Sequence, residues 1–180
     1  MSASEAWALA HLEQPSPTQT ERLERLLDDV AVRDGLYRLM PWPALASHRP
    51  LLLELFAREM AYRDALWHGR ASDDGDFFEN IYWCGLLLFS VAKAQDALVV
   101  WRARRLNMDV GSMLDARFMV GAGVTQTIAF LRSSTDPDAP EALEYVLDWQ
   151  RDGELAVHMM ALWEWSQREY FGLGEGAAGP

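Results

Sequence analysis

The chain has 180 residues, half of them hydrophobic and 24% charged, which is a folding composition and not a disordered one. Sixteen basic residues against 27 acidic ones leave a net charge of −11, and that excludes a broad electrostatic grip on nucleic acid or an anionic membrane. The single cysteine, Cys84, excludes an internal disulfide and a multi-cysteine zinc site.

From the N-terminus, the first 15 residues carry Glu5 and Glu13 and no basic residue, unlike a secretory signal. No apolar run reaches the 18 or so residues that a membrane span requires. A cytoplasmic protein is expected, with one all-α domain over residues 1–172 and a flexible tail over 173–180. Leu23, Leu26, Leu27 and Val30 form one stripe of a helix from Thr18 to Val32. Thr18 and Glu21 have capping-box spacing, and Gly35 is the expected stop. Met40-Pro41-Trp42-Pro43 then reads as a rigid extended connector, because each proline restricts its predecessor.

A second long helix is expected from Pro50 to His68, with Leu52, Leu55, Phe56, Met60, Ala61 and Leu66 on one side and Gly69 at its end. Arg70 to Asp76 reads as a loop closed by a helix-capping Asp. Phe77 to Val91 is apolar almost all round, the mark of a central helix. Among its residues Ile81, Trp83, Leu87, Leu88 and Val91 are expected in the core. Gln95–Leu106 is a shorter helix, Asn107–Ser112 a turn, and Gly111–Val120 and Val124–Leu131 two short helices around Gly121-Ala122-Gly123. There Gly123 supplies either a positive φ or a close backbone approach. Glu141–Arg151 and Glu154–Phe171 complete the pattern. No stretch alternates as a strand does. The expected fold is therefore all-α, seven or eight antiparallel helices in an irregular bundle or a short HEAT-like solenoid.

Recognisable catalytic patterns are absent: there is no G-x-S-x-G, H-E-x-x-H or phosphate-cradling glycine loop. The pairs Asp64/His68 and Glu154/His158 share helix faces, but their spacing differs from that of di-iron bundles, and solvated faces explain them. Asp73, Asp74 and Asp76 with Glu79 read as capping acids, not as a cation loop. Cys84, inside the most apolar helix, reads as inert, because a reactive thiol needs an electropositive and partly open setting. Trp67, Trp83, Trp101, Trp149 and Trp163 fall at helical positions and read as core, with Trp42 the one to expect at the surface. No catalytic residue, cofactor or metal is expected.

Two regions stand out. Lys93, Arg102, Arg104, Arg105 and Arg117 concentrate positive charge in an acidic protein, and Asp96, Asp109 and Asp115 are the partners nearest in sequence. Farther on, Asp136 to Glu154 holds seven acids against Arg151 alone. It reads either as a solvated face or as a docking face for a basic partner.

The stretch Glu79-Asn80-Ile81-Tyr82-Trp83-Cys84, with Trp101, Ala103, Arg104, Asp109, Asp115, Gly121, Ala122, Gly123 and Thr127, resembles a pattern in small bacterial all-helical proteins. Some of these are immunity-like partners in toxin loci. The resemblance spans residues 79–127, and Gly111-Ser112-Met113 departs from its Asp-rich turn. Together with the net charge of −11, which would speed encounter with a basic partner, it points to a non-enzymatic immunity protein that neutralises a basic toxin effector. The expected contacts are Asp136, Glu141, Glu144 and Asp148, with Glu79, Arg102, Arg105 and Asp109 as a second group. The alternatives are a small-ligand protein or enzyme with a polar pocket near Glu79, Arg102 and Asp109, and a homodimeric scaffold. Neither nucleic acid nor membrane is an expected partner.

Overall fold

The computed structural model describes residues 17–73 and 75–173, with side chains from residue 21. Asp74, the proposed tail from residue 174 and the Thr18 side chain of the capping box lie outside the described residues. The chain divides into two compact units, one up to Val91 and one from Ala92. The fold is all-α. Among the described residues there are ten helices, two 3-10 turns and no strand. The count exceeds the expected seven or eight because two stretches that read as single elements are broken by caps.

The first break separates α1 (Pro17–Asp28) from α2 (Val30–Leu39). Asp29 leaves the helical conformation, and its carboxylate accepts from the Ala31 amide at 2.9 Å, starting a new helix inside the expected 18–32 element. Gly35 does not stop α2. Burial of Leu36 and Tyr37 carries the helix past it, and it ends at Met40, which Pro41 holds extended. The Trp42–Pro43 peptide is cis, and Trp42 is half-buried rather than exposed.

α3 (Arg49–Trp67) packs most extensively against α4 (Asn80–Val91). Apolar on all sides, α4 buries ten of its twelve residues, including Ile81, Trp83, Leu87, Leu88 and Val91 as expected. The inward side of α3 differs from the expected one. Leu52, Leu55 and Phe56 are buried, but Glu59 and Arg63 continue the stripe, while Ala61 lies at the surface. Trp67, at the helix end, is 52% exposed and is not core.

The buried charges have a reason to be there. Arg33 of α2 meets Glu59 of α3 in a two-pronged pair at 2.7 and 3.3 Å. Its remaining nitrogen donates to the Leu27 and Asp28 carbonyls at the end of α1. Tyr37 donates to the same Glu59 oxygen at 3.0 Å. One guanidinium thus closes the α1–α2 break and fastens both helices to α3. Burial pushes the Glu59 carboxyl above its ordinary range against the pull of Arg33. Nearby, Arg63 donates to the Phe78 carbonyl at 3.0 Å and lies over the Phe78 and Tyr82 rings. The loop ahead of α4 is capped by Asp73, which accepts from the Phe77 and Phe78 amides at 3.0 and 2.6 Å. The expected capping residue, Asp76, instead takes a left-handed φ of 56° and makes no cap bond.

The second unit comprises α5 (Asp96–Arg104), α6 (Met108–Met113), α7 (Ala116–Met119), α8 (Val124–Ser133), α9 (Ala139–Arg151) and α10 (Val157–Tyr170). The expected turn at 107–112 is a helix, because Asn107 caps it by accepting from the Val110 amide at 2.9 Å. Asp115 caps α7 in the same manner through the Arg117 amide, which splits the expected 111–120 helix. Gly111 fits here because a Cβ would stand 2.6 Å from the Arg104 carbonyl oxygen. Gly123 takes φ +92°, the positive-φ alternative, and starts α8.

Glu59→Ala leaves Arg33 buried without a counter-charge and should cost about 3–5 kcal/mol in denaturant unfolding. Trp83→Ala should cost a similar ~3–5 kcal/mol. A loss below ~1 kcal/mol in either case would contradict the packing described. Cys84 is fully buried, and burial, followed by nearby Glu59, pushes its thiol well above the ordinary range. Thiol labelling should therefore track global unfolding, with the rate in native buffer rising only as denaturant opens the chain.

Candidate functional site

Where the charges of the second unit go decides which surface remains available. Arg102 leaves the exposed side of α5 and donates to Asp138 at 2.7 Å and to Asp136. Arg105 reaches Glu141 at 2.8 Å and Asp138 at 3.7 Å. The segment ahead of α9 is shaped to present these acids. Asp136 accepts from the Asp138 amide at 3.0 Å, while the Asp136 amide donates to Ser134 at 3.2 Å. Of the partners expected from sequence, Asp115 pairs with Arg117 at 3.1 Å. Arg104 instead stacks over the Tyr145 ring, 4.0 Å from its centroid.

These contacts divide the acidic segment. Asp136, Asp138 and Glu141 are already accounted for: they meet arginines and sit at the positive end of the α9 dipole. The expectation that this segment carries mostly unpaired charge therefore fails for its first half. The second half differs. Glu144 is exposed and has no ion pair among the described residues. Asp148 pairs with Arg151, and the exposed Asp152 forms the C-cap of α9. Helix ends of this kind favour cations, so a carboxylate there gains nothing from the dipole.

The C-terminal end of α9 borders a concavity. An open groove of about 570 Å³ lies between the Ala122–Gln126 turn and the Gly153–Val157 turn, with Gln150 at its edge. Gly123 opens one wall, and Gly153, at φ +82°, reverses the chain after α9 to make the other. The groove is lined by small and apolar groups with Thr125, Gln126 and Gln150 as its polar side chains. Elsewhere in this unit an aromatic–arginine stack joins the helices. Trp101 faces Tyr145 at 5.5 Å, Tyr145 faces Trp149 at 5.9 Å, and Arg117 lies over Trp149 and Trp163. Trp101 and Trp163 are buried as expected, and Trp149 is half-buried.

The other expected contact residues fall on separate elements. Asp109 lies on the exposed side of α6, and Arg102 and Arg105 are taken up by the α9 carboxylates. Glu79 belongs to the 3-10 turn ahead of α4, in the first unit. Among the described residues no three His, Cys, Asp or Glu side chains converge as metal ligands, and no helix is long and apolar enough to cross a membrane. Sequence reasoning missed the groove. Its only signal was the pair Gly123 and Gly153, which read as helix punctuation.

Comparison with family models, curated proteins and solved structures gave no match. The function must therefore be argued from the site itself.

Asp136 offers a direct check of the clamp. Its carboxyl is held below the usual range first by the Arg102 hydrogen bond and then by the Asp138 amide. Its stabilising contribution is therefore present above the unfolded-state pKa and is lost as pH falls through the depressed folded value. Arg102→Ala should move the Asp136 titration, followed by carboxyl NMR, back toward the ordinary range. An unmoved titration would contradict the clamp.

Proposed function

We propose that this is a non-enzymatic binding protein, a bacterial cytoplasmic immunity protein that neutralises a basic toxin effector. Its contact surface is the second half of α9, with Glu144, Asp148 and Asp152, and the groove beside it. The observation that carries this reading is the placement of carboxylates where local structure does not call for them. Asp136, Asp138 and Glu141 meet Arg102 and Arg105, whereas Glu144 has no ion pair among the described residues and the carboxylate of Asp152, at the C-cap, opposes the helix dipole. An acidic surface of this kind accelerates encounter with a basic protein, and the adjoining groove offers an apolar seat once docking has begun.

The test is to search the neighbouring reading frames for a basic toxic domain and to co-express it with this chain. The wild type should restore growth of cells that express the domain. Glu144→Lys with Asp152→Lys should slow association at least about tenfold at low salt. Folding should be unaffected, since exposed substitutions shift stability by only ~0.5 kcal/mol each. Failure of the wild type to bind or protect would overturn the immunity reading. An unchanged rate for the double variant would displace the contact surface from α9.

A further inference from the structure

α10 is held by very little. Of its fourteen residues only Trp163 is buried, and it packs edge-on against Phe118 at 4.9 Å. The expected amphipathic helix is present, but much of its apolar side faces outward. Val157 is 89% exposed, Leu162 59%, Trp165 58% and Tyr170 64%. A helix this short gains little stability by itself, and an uncovered Leu–Trp patch of this kind marks an interaction surface.

We propose that α10 pairs with α10 of a second copy of this chain, antiparallel, about a two-fold axis between Leu162 and Trp165. The argument lies in which residues are exposed. They fall in two parallel rows spaced by four: Val157, Ala161, Trp165 and Glu169, and His158, Leu162, Ser166 and Tyr170. Reversed about the midpoint of the helix, these rows map onto each other. Leu162 then faces Trp165, Ala161 faces Ser166, His158 faces Glu169 and Val157 faces Tyr170. Every pairing is chemically compatible: two apolar contacts, one small-on-small contact that lets the backbones approach, and one imidazole–carboxylate contact. A self-complementary patch is what a two-fold interface requires, because each residue must meet its counterpart's partner.

Charge favours the same occupant. Two copies, each at −11, repel wherever acidic surfaces meet. The two exposed rows of α10 hold one acid, Glu169, and one base-forming group, His158. Two acidic chains can therefore approach closely on this face, and the acids of α9 stay available to a basic partner.

Sedimentation velocity on the full chain, from micromolar to submillimolar concentration, tests the pairing. The wild type should move from 20.4 kDa toward twice that mass. Leu162→Asp with Trp165→Asp should weaken dimerisation at least about thirtyfold, with the helical circular dichroism retained. His158→Glu, which sets a second carboxylate against Glu169, should weaken it severalfold, and adding Glu169→Lys should restore it. A monomeric wild type would overturn the proposal, as would a dimer indifferent to the Leu162/Trp165 change. Failure of Glu169→Lys to rescue His158→Glu would overturn the antiparallel register.

Discussion

Pairing of arginine with oxygen across helix boundaries is the constraint on which the rest of this structure depends. A chain carrying −11 resists compaction, because its carboxylates repel. Five of its guanidiniums are placed between elements, where each joins two or more segments. Arg33 joins α1, α2 and α3; Arg58 of α3 reaches Asp28 at the end of α1; and Arg63 meets the turn ahead of α4. In the second unit Arg102 and Arg105 tie α5 to the start of α9. The fork shape of the guanidinium suits this work, since it bonds in several directions at once.

The two units use the same pair at different depths. Arg33 and Glu59 are almost completely buried, and their pair sets helix register more than it adds net stability, because desolvation offsets attraction. Arg102 and Arg105 are about half-exposed, and pairs of that kind add at most ~1 kcal/mol each. What they do is remove the first half of the acidic segment from consideration as a docking face. Glu144, Asp148 and Asp152 are the acids of α9 left for the proposed docking face.

Much of the fold was legible because helical period and full-apolar runs are local signals. The central position of α4 follows from twelve residues with hardly a polar face, and the end of α3 at Gly69 follows from one glycine. The caps were less legible. Asp29 lies inside an otherwise helical stripe, and nothing in sequence distinguishes Asp73 from Asp76 as the capping residue until the backbone selects one. The buried pair did have a signal. Arg33 sits between Val30 and Tyr37, and Glu59 continues Leu52, Leu55 and Phe56, so each is a charge on an apolar stripe. For the site, the acidic segment was visible as composition, but its division into paired and available acids depends on Arg102 and Arg105, more than 30 residues away. The groove and the outward face of α10 arise from tertiary packing alone.

The central claim, that the second half of α9 binds a basic partner through charge, is tested most directly by the ionic-strength dependence of association with the cognate toxin domain. Wild type should associate fast at low salt and slow steeply as salt rises, while dissociation changes little, because screening acts on encounter before it acts on the docked state. Glu144→Gln should flatten that dependence, whereas Glu141→Gln, at a position already paired with Arg105, should not. An association rate indifferent to salt, or flattened equally by both substitutions, would contradict the account.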